Sequence, residues 1–193
     1  MKVWIVSTKN FKGKTCIHGI TEEGKNVRLL DENGMYPLPD RHSYVPGEIY
    51  EMLLRDPVDG GDPFWENKCV VSQKWSGYEC NLRQFLLNRV KIERGGLDTL
   101  FGGCLRRSEA VNTPYIPHGE GRRYKSMLYW MVDIPLYKKE NPDKKEFYPG
   151  LTSYVYKEPW GEDVWFLDAP SYTSGTSGFS APLRSFPKGP YCI

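Results

Sequence analysis

Polar and apolar residues alternate with a period of two along five early stretches: KVWIVST (2–8), KTCIHGI (14–20), KNVRLLD (25–31), GEIYEMLLRD (47–56) and NKCVVSQKW (67–75). Successive side chains of a strand point to opposite faces, so this period predicts five half-buried strands. Gly, Pro, Asn and Asp separate them, as turns require. The period then changes. In CNLRQFLLNRV (80–90), Leu82, Phe85, Leu86 and Leu87 form an apolar stripe behind Asn81, a residue type that caps helix starts, which predicts one short helix over about 81–90.

The stretch 93–123 carries two Gly pairs and two prolines and sustains no period, so it predicts a module boundary followed by a long connection. Strand patterns return in YKSMLYWMVDIPLY (124–137), LTSYVYKE (151–158), EDVWFLDA (162–169) and GPYCI (189–193), and the Ser/Gly-rich PSYTSGTSGFSAP (170–182) reads as a loop. Five strands closing into a Greek-key barrel make an OB-fold. The expected fold is therefore mainly β, two tandem OB-like small β-barrels with one short helix: a first barrel over 1–95, a connecting loop over 96–123 and a second OB-like β module over 124–193. An SH3-like barrel or a single larger sandwich carries the same alternation.

Composition sharpens this only slightly. Aromatic residues make up 14% of the 193 residues, and 19 Gly with 15 Pro supply turns, a profile that suits short strands better than long helices. No apolar run approaches the ~20 residues of a membrane span, and the first residues lack the pattern of a signal peptide, so a cytoplasmic protein with no membrane partner is expected. Five cysteines, at 16, 69, 80, 104 and 192, are scattered without a C-x-x-C pair, which indicates neither a disulfide framework nor a zinc site. No metal or cofactor is expected.

Net charge is only +2, but it is unevenly spread. Residues 1–30 hold six Lys/Arg against two Glu, residues 31–66 hold two Arg against nine acids, and residues 104–125 hold five basic residues against two acids. Folding can gather the basic stretches at 1–30, 81–94 and 104–125 into a patch for a polyanion, or leave them as scattered solvated charge.

The N-terminal half resembles the dual OB domain proteins, a bacterial family of two OB-like modules in one chain. The resemblance rests on VWIVSTKNFKGKTCIHG, NVRLLD, GEIYEMLL and PFWEN in order over residues 1–75, and beyond residue 95 only on VWFLDAPSY and the terminal YCI. Where that family has Trp-Ile-Arg, this chain has Asn26-Val27-Arg28, which removes a ring beside the arginine. The resemblance implies nucleic-acid binding and carries no catalytic assignment.

Candidate contacts follow from residue chemistry. The turn STKNFKGKT (7–15) presents Lys9, Lys12 and Lys14 around Phe11, and it joins the first two strands, a usual OB contact region. Lysine offsets phosphate charge and an exposed ring stacks on a base; hairpin lysines also serve solubility alone. Arg28, between Val27 and Leu29, is expected on the open surface of the barrel, as a phosphate or base contact or as a structural partner for an acid in 31–66. In DPFWEN (62–67), Phe64 and Trp65 are candidate stacking platforms, while Glu66 would repel phosphate and, with Asn67 as a turn residue, holds the loop. Arg106, Arg107, Arg122 and Arg123 bracket a Pro/Gly loop containing Tyr115, with Tyr124 following, a composition that suits single-stranded nucleic acid or docking on the acidic block.

Cys16 and His18 share one strand face. Residues two apart on a strand lie about 7 Å apart, a separation too long for the direct contact that a Cys-His nucleophile needs, so no catalytic residue is assigned. The expected function is a non-enzymatic nucleic-acid-binding protein, for single-stranded DNA or RNA or for structured RNA. The alternative is a module of a bacterial or phage conflict system that binds a protein partner or senses a nucleotide ligand. A Cys-dependent hydrolase is the third and weakest reading.

Overall fold

The computed structural model describes residues 1–11, 14–36, 44–58, 65–104, 106–107, 114–115, 127–132, 137–139, 153–157, 163–167 and 190–192. Five strands, β1 (Lys2–Phe11), β2 (Lys14–Thr21), β3 (Asn26–Leu30), β4 (Glu48–Arg55) and β5 (Asn67–Tyr78), close into a barrel of order β1-β2-β3-β5-β4. β3 and β5 pair in parallel, with Arg28 beside Asn67 and Leu30 beside Cys69. The other four seams are antiparallel, and β4 closes the ring against β1. The result is consistent with an OB-like barrel.

Alternation fills the interior with Val3, Ile5, Ile17, Val27, Leu29 and Met52, joined by Tyr44 from the β3–β4 connection. It breaks in β1 at a bulge between Ile5 and Ser7. The extra residue lets Ile5 face the interior while Val6 joins a second apolar cluster with Ile20, Leu82, Leu86 and Tyr129. That cluster is the seat of α1 (Leu82–Arg89). Asn81 caps the helix by accepting the Gln84 N–H at 3.1 Å, and the Phe85 ring stacks on Trp4 with centroids 4.8 Å apart. Among the described residues no helix is long and apolar enough to cross a membrane.

The stretch that carries no period in sequence holds structure of its own. β6 (Ile92–Gly95) is followed by a 3-10 segment, Leu97–Gly103, and by the short pair β7 (Arg106–Arg107) and β8 (Pro114–Tyr115). β6 pairs in parallel with β9 (Tyr129–Val132), and a three-stranded sheet runs β13-β9-β6 with β13 at Pro190–Cys192. A four-residue strand held by backbone bonds leaves too few alternating positions to read. Its anchor is Trp130 of β9, fully buried, whose indole N–H donates to the Gly95 carbonyl at 2.8 Å. A further antiparallel sheet has the order β10-β11-β12, from Tyr137–Lys139, Ser153–Lys157 and Asp163–Leu167.

Tyrosines gather around the start of β4. Tyr44 meets Tyr50 edge-on at 5.2 Å and donates its hydroxyl to Gln73 Oε1, Tyr50 donates to Glu48 at 3.0 Å, and Tyr78 donates to the Pro46 carbonyl at 3.0 Å. Gly47 lies under the Tyr78 ring with φ +99; a Cβ there would come within 2.7 Å of the ring, so no other residue fits without displacement. Burial pushes the Tyr44 hydroxyl up to about 12 from its ordinary 10.0, against a smaller lowering by Gln73. Burial, reinforced by the Glu48 carboxylate, also raises Tyr50. These neutral hydroxyls contribute stability that is fully present below pH 10 and lost as the pH rises toward about 12, because the unfolded chain sheds protons that the folded chain retains. Thermal melts from neutral to alkaline pH should show this fall. Tyr44→Phe should make it shallower, and an unchanged pH dependence in the variant would remove Tyr44 as a cause.

Candidate nucleic-acid interface

β1 runs antiparallel to β4, so the β1–β2 turn and the β4–β5 connection emerge at opposite ends of the barrel. The backbone puts Phe11 opposite Lys14 and Lys9 opposite Cys16 at the first end. Lys12 and Phe64 lie outside the described residues. The two ends are separated by the length of β2, about 26 Å at ~3.3 Å per residue. A single strand of nucleic acid touching both would cross the outer face of β2 and β3, within the range of about 4–16 nucleotides that one OB-fold covers.

That face is not all open. Trp4, Val6 and Ile20 pack under α1 and Tyr129, and the Asn26 amide donates to the Met127 carbonyl at 3.4 Å. Arg28 is 9% exposed, which corrects its expected place on an open surface. The reason is that β3 is buried from Val27 through Leu30, on both of its faces, so alternation along it does not separate a wet side from a dry one. The Arg28 N–H donates to the Glu66 carbonyl at 2.7 Å, a backbone bond that fixes the entry of β5 against β3.

At the second end Trp65 is 60% exposed and lines a groove of about 690 Å³. The β2–β3 turn forms one wall, and Arg55, Asp56, Glu66 and Lys68 contribute to the other. Two of its cations are ion-paired and a third is held by carbonyls. Lys25 pairs with Glu23 at 2.6 Å, and that hydrogen bond and charge hold the Glu23 carboxyl below its ordinary range. Lys68 pairs with Asp56, and Arg55 donates to the Glu32 and Asp56 carbonyls. The groove thus offers an aromatic face in a balanced field, unlike a phosphate trap. Glu66 is buried, in keeping with a structural role, whereas Asn67 is the first residue of β5 and not a turn residue; its Oδ1 is buried without a hydrogen-bond partner.

The separation expected between Cys16 and His18 is corrected by the structure: Cys16 Sγ and His18 Nε2 lie 3.1 Å apart. Spacing along the backbone is not spacing between side-chain tips. Strand side chains lean along the strand, and Nε2 is the far nitrogen of the ring, so it closes the gap that the α-carbons leave. Both residues are half-exposed on the outer face of β2.

Arg106 and Arg107 take their places in β7, with Arg106 opposite Tyr115 and Arg107 opposite Pro114. Arg122, Arg123 and Tyr124 lie outside the described residues. Lys25, Arg55 and Lys68, which flank Trp65 in the groove, carry no sequence signal, because each sits alone near a strand end and barrel closure alone unites them. Among the described residues no group of three His, Cys, Asp or Glu could hold a metal ion.

Comparison with protein-family models, with curated proteins and with solved structures found no match to this chain.

Proposed function

We propose that this chain is a non-enzymatic nucleic-acid-binding protein that uses its OB-like barrel to hold single-stranded DNA or RNA or structured RNA. The observation that carries the reading is the closed five-stranded barrel with a basic turn at the β1–β2 end and an exposed Trp65 at the β4–β5 end, the two loop regions through which OB-folds take their ligands. The Arg106–Arg107 strand, next to Tyr115, supplies a second basic and aromatic element. The resemblance to the dual OB domain proteins agrees with this reading and rests on the residues alone. In the same reading residues 124–193 form a second OB-like module, whose strands include β9 to β13, and the protein works in the cytoplasm.

The groove beside Trp65 favours a second reading. Its volume falls within the roughly 300–1,000 Å³ of small-molecule sites, and its paired charges suit a nucleotide-like or peptide ligand better than a phosphate chain. A salt titration of binding to a fluorescent single-stranded oligonucleotide separates the two. Phosphate contacts give a log-log slope of about −0.7 per neutralised phosphate on a single strand. Trp65→Ala should weaken binding by roughly 5- to 150-fold, the equivalent of about 1–3 kcal/mol for one stacked base, and leave the slope unchanged. A flat salt response would reject the polyanion reading in favour of the groove ligand.

A further inference from the structure

We infer that Cys16 is a reactive thiol, activated by His18, that takes small uncharged two-electron electrophiles of the peroxide class. The thiolate is the nucleophilic form of cysteine, and a base within hydrogen-bond reach supplies it. His18 Nε2 stands at 3.1 Å from the sulfur, and neither residue is buried out of reach of a small molecule.

The reaction balances with the groups present and one peroxide. The thiol proton passes to His18 Nε2, the sulfur forms a bond to the near peroxide oxygen as the O–O bond breaks, and the leaving hydroxide collects the proton as water. Sulfur is oxidised by two electrons to the sulfenic acid and the peroxide is reduced. With iodoacetamide as probe, the S–C bond forms, the C–I bond breaks and iodide leaves.

The other cysteines provide an internal standard. Cys69 and Cys104 are buried, while Cys80 is exposed, more so than Cys16. If exposure alone governed reactivity, Cys80 would react first. The experiment is limiting iodoacetamide treatment of the folded full chain at neutral pH, with each cysteine followed by peptide mass spectrometry, and a parallel arm with hydrogen peroxide and dimedone. Cys16 should be alkylated at least about tenfold faster than Cys80, the effect of a positioned base. It should also be where dimedone traps sulfenic acid. His18→Gln should remove the preference while the Cys80 rate and the protection of Cys69 stay as they were. Equal or faster labelling of Cys80 in the unmodified protein, which needs no variant to fold, would overturn the proposal, as would a preference that survives in a folded His18→Gln chain. Fast alkylation without a dimedone adduct at Cys16 would overturn the assignment to peroxides.

Discussion

Trp130→Ala should lower the free energy of unfolding by about 3–5 kcal/mol, the usual cost of emptying a large aromatic site. The side chain is fully buried, and its loss also strands the Gly95 carbonyl that the indole N–H now satisfies. Its neighbour in sequence, Tyr129, packs on Val6, Ile20 and the buried side of α1, so the site stands where the barrel's outer face meets the β13-β9-β6 sheet. Urea melts followed by circular dichroism would measure the effect. Trp65→Ala, at a 60% exposed position, should change stability little and serves as the matched control. A loss below about 1 kcal/mol at Trp130 would mean that this junction contributes little to the fold.

Replacing Lys12 and Lys14 together by Glu should weaken oligonucleotide binding on the order of tenfold or more, the equivalent of at least about 1.4 kcal/mol. If each lysine meets one phosphate of a single strand, the log-log salt slope should also become shallower by about 1.4. The slope change identifies phosphate contact, and circular dichroism separates it from a misfolded turn, which would lower affinity and slope alike. Lys14 is the first residue of β2, so folding should persist and circular dichroism should match the parent. Unchanged affinity and slope would remove the turn from the interface.

The five barrel strands were legible because their alternation is a local record of one face against a core. Each expected strand overlaps an observed one, and Asn81 caps the helix as its residue type foretold. What alternation could not carry was anything set by the second layer. Val6 joins the outer cluster through a bulge, which shifts the period without marking it in composition. Arg28 looked open because it faces away from Val27 and Leu29, yet burial of both faces of β3 hides it. Trp65 was legible as an exposed ring near a strand start, but its neighbours Lys25, Arg55 and Lys68 are distant in sequence and meet only on closure. The contact between Cys16 and His18 is set by the reach of the imidazole, which α-carbon spacing along a strand does not encode.

The seams of the barrel are unequal, and that inequality shapes how it forms and breathes. β4 and β5 share a ladder from Glu48–Tyr78 to Arg55–Cys69, and β1 and β2 one from Val3–Thr21 to Phe11–Lys14. The β1–β4 register, by contrast, runs from Lys2 to Trp4, flanked by backbone bonds between Met1 and Met52 and from Gly47 to Ile5, and the β3–β5 register runs from Arg28 to Leu30. The barrel is thus two leaves, a β1-β2-β3 meander and a β4-β5 hairpin, stitched along two short edges. Each leaf is made of neighbours in sequence and should assemble early, whereas the stitches join distant segments, whose closure costs more chain entropy and should come later. Opening along these stitches is expected first in the native state, so amide exchange through them should outpace exchange within either leaf. A strand of nucleic acid running from the β1–β2 turn to Trp65 would start on one leaf and finish on the other, and it would act as a clasp that slows their separation.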